Sequence, residues 1–237
     1  VNANLGVGQL AQLGGTSTLN GTAASTDVQI LGGTLALGAA DRLADAAIVQ
    51  VLTGATLDLG AYADTVATLA LAGTLNGTGT LTAGQYLLSG AVVNANLGSG
   101  LLANLGGTTL LGGTVAATDV RVNAGTVVLG AADRLADAAI VQVVSGATLD
   151  LGAFADTVAT LALAGTLHGS GTLTAASYQL TGAIVNANLG AGQLAQLGGT
   201  STLNGTAAAD DVQILGGTLA LGAADRLADA AIVQVLS

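Results

Sequence analysis

Apart from three tyrosines, the ionisable side chains of this 237-residue sequence are fourteen aspartates, one histidine and four arginines, and their spacing decides what chemistry is open to them. Carboxylates recur in pairs: Asp41 with Asp45, Asp133 with Asp137, Asp225 with Asp229, and Asp58 with Asp64, which returns as Asp150 with Asp156. Two acids facing one cleft are the machinery of glycoside cleavage, but that machinery is a single pair at a set separation. Here the pairs are copied along the chain. Copying is explained by solubility, capping or turn geometry, so no catalytic residue is assigned and the chain is not read as an enzyme.

His168 has no second His, Cys or Glu to join it in a zinc site. It occupies, in TLHGSG, the place that Asn76 holds one copy earlier, and it reads as a polar corner residue. The G-G-x-G-x-D nonapeptide of calcium-binding β-rolls is absent. Spacings such as Asp41/Asp45 do not supply the six or seven oxygens of a calcium site, leaving at most weak surface binding. A P-loop has no lysine to use, and Gly77, Gly79 and Gly84 miss the dinucleotide-binding spacing. No metal site and no cofactor are assigned. Asn-Gly-Thr at Asn20, Asn76 and Asn204 matches a glycosylation acceptor, but Asn-Gly is also a strong turn signal, and the turn reading is preferred.

With four cations against fourteen anions the formal charge is −10, so nucleic acid and anionic membranes should repel the chain. The mean hydropathy of +0.71 looks membrane-like, and no charge lies between Asp64 and Asp119. Gly, Thr, Asn or Ser nevertheless interrupts that stretch every few residues, so no run of about 20 apolar residues exists to span a bilayer. Four aromatic rings are too few for the girdles of a membrane barrel. No leader-like segment starts at Val1, so an export signal is expected outside this sequence. Without cysteine there is no disulfide framework.

The elements that must carry these residues emerge from self-comparison. VNANLG begins at Val1, Val93 and Val185, and LGAADRLADAAIVQV places its first aspartate at Asp41, Asp133 and Asp225, so the repeat is 92 residues. The chain divides into copies 1–92, 93–184 and a partial 185–237, and the first and third differ at only four aligned sites, including Thr53/Ser237. Segments opening at Thr34, Thr56, Thr74, Val92, Thr108 and Thr126 measure 22, 18, 18, 16 and 18 residues. This predicts one continuous all-β solenoid, a single-stranded parallel β-helix of about thirteen coils of roughly 18 residues.

Alternation in Val28-Gln29-Ile30, Val49-Gln50-Val51, Leu57-Asp58-Leu59 and Val120-Arg121-Val122 predicts strands with one face buried and Gln29, Gln50, Asp58 and Arg121 outward. Gly32, Gly54, Gly60, Gly73 and Gly90 are expected to supply positive φ at corners. AADRLADAA has helix-like spacing, with Asp41 as N-cap and Arg42 facing Asp45, but it reads as a lateral bulge. A lone coil cannot offset its ordering entropy, so coils must stack. Parallel crossovers favour a right-handed helix, and the unequal coils do not keep the six-residue rhythm of left-handed ones. Thr-rich segments such as TSTLNGT suggest an ice-binding grid, but the outward positions Gln29, Gln50, Ala70, Leu87 and Arg121 vary and argue against one.

The run from Asp41 to Gly84, repeated from Asp133 to Ala176, joins a GATLDL strand, a D-T-V-x-x-L segment and a G-T-L-x-G-x-G-T-L turn. It resembles the passenger repeats of bacterial autotransporters and filamentous-haemagglutinin-like adhesins. That resemblance implies a secreted or surface-displayed right-handed β-helix with an adhesive role. The expected function is a stalk or fibre-forming segment of a bacterial surface adhesin or matrix filament, with other copies of itself as partner through strand edges at Val1 and Ser237 and apolar side chains such as Leu87. The alternative is a glycan- or receptor-binding module, in which Arg42, Arg134 and Arg226 on repeated lateral loops about 24 Å apart make the contacts.

Overall fold

The computed structural model describes residues 1–236; Ser237, where one exposed strand edge is expected, lies outside them. The chain is all-β, a parallel β-solenoid of about thirteen coils. It forms two compact units, Val1–Ala117 and the stretch from Thr118 onward. Each unit has two parallel sheets whose strands alternate along the chain. In the first unit one sheet runs through Leu10–Gln12, Asp27–Ile30, Ile48–Val51, Asp64–Leu71, Thr80–Ser89 and Leu101–Gly106. The other takes Thr16–Leu19, Thr34–Leu37, Thr56–Asp58, Thr74–Asn76, Val92–Val93 and Thr108–Leu111. The second unit repeats this order.

Alternation works as expected because one coil's inward residue lies over the same residue type in the next. Leu35, Leu57, Leu75, Val93 and Leu111 stand in register and are buried. So do Val28, Val49, Leu69, Tyr86 and Leu102 on the facing sheet. Full burial of each such side chain is worth about 1.5–3 kcal/mol, and stacking is what makes it full. Gln50 and Arg121 are exposed, and Gln29 and Asp58 half-buried, all on the outward face. The longer strands Asp64–Leu71 and Thr80–Ser89 break phase midway, so each bends around a corner. Tyr86, an aromatic within an aliphatic interior, fits because its hydroxyl accepts from Ala83 N at 2.9 Å and donates to Leu81 O at 3.0 Å. Tyr178 repeats both bonds.

Several expectations need correcting. Gly54, Gly60 and Gly90 have positive φ, but Gly32 and Gly73 do not, and Gly33 takes the role expected of Gly32. Gly73 is required for space: a Cβ there would sit 2.3 Å from Ala55 O and 2.4 Å from Leu52 O of the coil beneath. The 16-residue coil exists on one sheet, where Gln85 faces Leu101, whereas on the other Val92 faces Leu110, eighteen residues on. A register shift between Asn104 and Gly106 absorbs one residue of the difference. Leu87 is half-buried between Ala70 and Ala103; the exposed leucines of the first unit are at the corner, Leu13, Leu31, Leu52 and Leu105. A threonine rank does exist on the second sheet, where Thr16, Thr34, Thr56 and Thr74 are in register, but it is one residue wide and gives way to Val92 and Leu110.

Candidate functional site

The repeated lateral loops gather half of the aspartates and arginines. The first leaves strand Thr34–Leu37, turns at Asp41, and returns as strand Ile48–Val51. No helix forms. Asp41 adopts φ 54°, a left-handed conformation costly for a non-glycine residue, and Asp133 and Asp225 repeat it at 54° and 55°. Asp41 therefore cannot serve as a helix N-cap. Leu43, 4% exposed, anchors the loop in the core, and a tight turn from Ala47 N to Ala44 O closes it.

Arg42 does not pair with Asp45. Its Nε donates to Ala40 O at 2.9 Å and its Nη1 to Asn20 O, on the preceding coil, at 2.8 Å. Arg134 Nε likewise donates to Ala132 O at 3.0 Å. Arg121 forms a side-chain ion pair with Asp119, both side chains exposed. The main chain of the loop is tied in both directions, from Ala23 N to Arg42 O at 2.7 Å and from Asp41 N to Ala63 O at 3.2 Å.

Asp64 completes the lock from the following coil. It is 2% exposed, its Oδ2 accepts from Arg42 N at 2.8 Å and Leu43 N at 3.1 Å, and its Oδ1 accepts from Thr65 N at 2.8 Å. Asp156 repeats all three bonds with Arg134, Leu135 and Thr157. Burial pushes both carboxyls above their ordinary value; the main-chain donors oppose that rise, and Asp41 or Asp133 adds a smaller upward push. With the acceptor positions filled by main-chain N–H groups, this carboxylate is arranged to fasten a loop. Sequence parity held the clue, because Asp64 is two residues before the buried Val66 on the same strand and so faces inward.

The remaining candidates are dispersed. Asp58 Oδ1 accepts from Gly60 N at 2.9 Å, as Asp150 does from Gly152 N at 2.8 Å, so each fixes a turn. His168 is exposed and in register with Asp150, as Asn76 is with Asp58. Asn20, Asn76 and Asn204 all stand exposed at corners. Among the described residues no three His, Cys, Asp or Glu side chains group as metal ligands, and no helix is long and apolar enough to cross a membrane. One recurrent feature escaped the sequence reading: Tyr62 and Phe154 occupy equivalent corner positions beside Gly60 and Gly152, with their rings about two-fifths exposed (40% and 38%).

Fold and loops together define a parallel β-solenoid of tandem repeats, whose two full copies are each pinned from within by a buried aspartate. No family model, curated protein or solved structure matches the chain.

Proposed function

We infer that this solenoid is a structural and adhesive segment, a stalk or fibre-forming part of a bacterial surface adhesin or extracellular matrix filament. The observation that carries this reading is the use of Asp64 and Asp156: the most buried acids in the described chain fasten the same loop to the same backbone nitrogens in both copies. Residues spent identically in each repeat serve an extended scaffold, whose length can change by duplication without changing its chemistry. Copies of the chain itself are its proposed partner. The net charge of −10 directs such contacts away from acidic surfaces and towards uncharged ones, such as the corner of Leu13, Leu31, Leu52 and Leu105.

A second reading, a glycan- or receptor-binding module, is favoured by Tyr62 and Phe154, exposed rings recurring beside the lateral loops. Beads coated with chains of one, two and three 92-residue copies separate the two. The structural reading expects adhesion and bead clustering to grow with copy number and to survive Arg42→Ala, Arg134→Ala and Arg226→Ala. Saturable glycan-array binding lost in Tyr62→Ala with Phe154→Ala, without growth in clustering, would replace it with the second.

A further inference from the structure

Three Asn-Gly pairs lie at corners of the solenoid, and the fold treats them differently. At Asn20 the following nitrogen, Gly21 N, donates to Val1 O at 3.1 Å, and the side-chain amide donates to Asn2 Oδ1 at 2.7 Å. Asn204 has the same arrangement: Gly205 N donates to Val185 O at 3.1 Å, and its own Nδ2 to Asn186 Oδ1 at 2.8 Å. Asn76 is held another way. Its main-chain carbonyl accepts from Leu59 N at 2.9 Å, but among the described residues no acceptor holds the Gly77 nitrogen. Its side-chain oxygen, moreover, accepts from Asn94 Nδ2 at 3.4 Å. That bond draws electron density from the amide carbonyl and leaves the Asn76 NH₂ group out of the ladder. Gly77 has φ +114°, whereas neither Gly21 nor Gly205 has positive φ.

We propose that Asn76 is a site of spontaneous deamidation, singled out from the three Asn-Gly pairs by the free Gly77 nitrogen. The Gly77 nitrogen adds to Asn76 Cγ, its proton passes to the departing group, the Cγ–Nδ2 bond breaks and ammonia leaves. Water then opens the five-membered imide at either carbonyl, giving aspartate or isoaspartate. No oxidant or reductant is needed. At Asn20 and Asn204 the attacking nitrogen must first release a main-chain hydrogen bond.

The product matters because of its neighbour. Asn76 is in register with Asp58, so conversion sets a second carboxylate directly across from the first, an unfavourable cross-strand pair. The isoaspartate form also lengthens the backbone where Gly77 already presses on Gly60, a Cβ at Gly77 lying only 2.4 Å from Gly60 O. The second copy carries His168 at this position and cannot react in this way.

Arginines at 42, 121, 134 and 226 separate the three sites on tryptic digestion, into peptides 1–42, 43–121 and 135–226. The folded chain is incubated at mildly alkaline pH, and each peptide is followed by mass spectrometry with fragmentation to localise the acid. Asn76 is expected to convert about fivefold to tenfold faster than Asn20 or Asn204, the factor one ordinary main-chain hydrogen bond represents. In denaturant the three rates should converge. Asn76→His, the residue of the second copy, should abolish the conversion in peptide 43–121. Equal rates in the folded chain, a bias that persists in denaturant, or conversion of peptide 43–121 undiminished in Asn76→His would each overturn the proposal.

Discussion

The Asp64 carboxylate accepts a 2.8 Å hydrogen bond from the main-chain nitrogen of Arg42, twenty-two residues earlier in the chain. The same oxygen holds Leu43 N, so one side chain on one coil sets the path of the loop on the coil before it. Asp64→Ala leaves the buried Leu43 nitrogen without an acceptor, at a cost of about 1–3 kcal/mol. Long repeat arrays do not unfold in one step, so the effect is best read locally. Amide hydrogen exchange at Arg42 and Leu43 should accelerate in Asp64→Ala while Arg134 and Leu135 stay protected. Asp156→Ala should show the reverse. Acceleration spread evenly over the chain would count against a local clip.

The same carboxyls set a pH dependence. Burial raises Asp64 and Asp156 above the ordinary value of 3.8, so between that value and the raised one the folded state binds more protons than the unfolded. Stability must then fall as pH rises through that window. The contribution is fully present below the ordinary value and gone above the raised one. Self-repulsion at a net charge of −10 acts in the same direction, so a control is needed. Thermal midpoints should decrease with pH just above 3.8 in the wild-type chain, and decrease less in the Asp64→Asn, Asp156→Asn double variant. Identical slopes would show that the buried acids do not contribute.

Much of this architecture was legible because a solenoid writes its structure locally. The apolar-x-apolar triplets around Gln29, Gln50 and Arg121 fixed which face is buried, and the 92-residue spacing of Asp41, Asp133 and Asp225 fixed the repetition. What eluded reading depends on the neighbouring coil. Whether Arg42 meets Asp45 or the carbonyl of Asn20 is decided by stacking, which spacing along one strand does not encode. Gly73 shows the same limit, since its need for a missing side chain comes from Leu52 and Ala55 beneath it. The parity of Asp64 with Val66 was available, but an acid on an inward position is ordinarily discounted.

Glycines at equivalent-looking turns should therefore respond very differently to alanine. A Cβ on Gly79 would fall 1.8 Å from Tyr62 O, and on Gly171 1.8 Å from Phe154 O, main-chain atoms that cannot step aside. Gly6 has no neighbour within 4 Å and no positive φ. Gly79→Ala should disrupt its corner, seen as proteolytic sensitivity near Tyr62. Gly6→Ala should be neutral, or stabilising by about 0.4–1 kcal/mol through the unfolded state. Equal tolerance at both positions would mean the corners are looser than these distances require.

A buried polar pair supplies a sharp test of packing within one coil. In the second copy Asn104 and Thr109 are both fully buried, and the Thr109 hydroxyl donates to Asn104 Oδ1 at 2.6 Å. The first and third copies replace this pair by Gln12 with Ser17 and Gln196 with Ser201, moving one carbon from one side chain to the other. The longer amides reach forward instead, Gln196 Nε2 donating to Gly198 O at 2.7 Å and Gln12 Nε2 to Gly14 O at 2.7 Å. Volume is thus conserved within each pair, and volume-conserving changes are those that cores tolerate. Asn104→Gln alone should overpack, at about 1–3 kcal/mol. Thr109→Ser alone should leave a methyl-sized void, at about 0.5–1.5 kcal/mol. Together they recreate the combination the other copies already hold, so the double variant should be more stable than the single changes added together, with a coupling of about 0.5–3 kcal/mol by double-mutant cycle. Simple additivity would show that the two positions pack independently of each other.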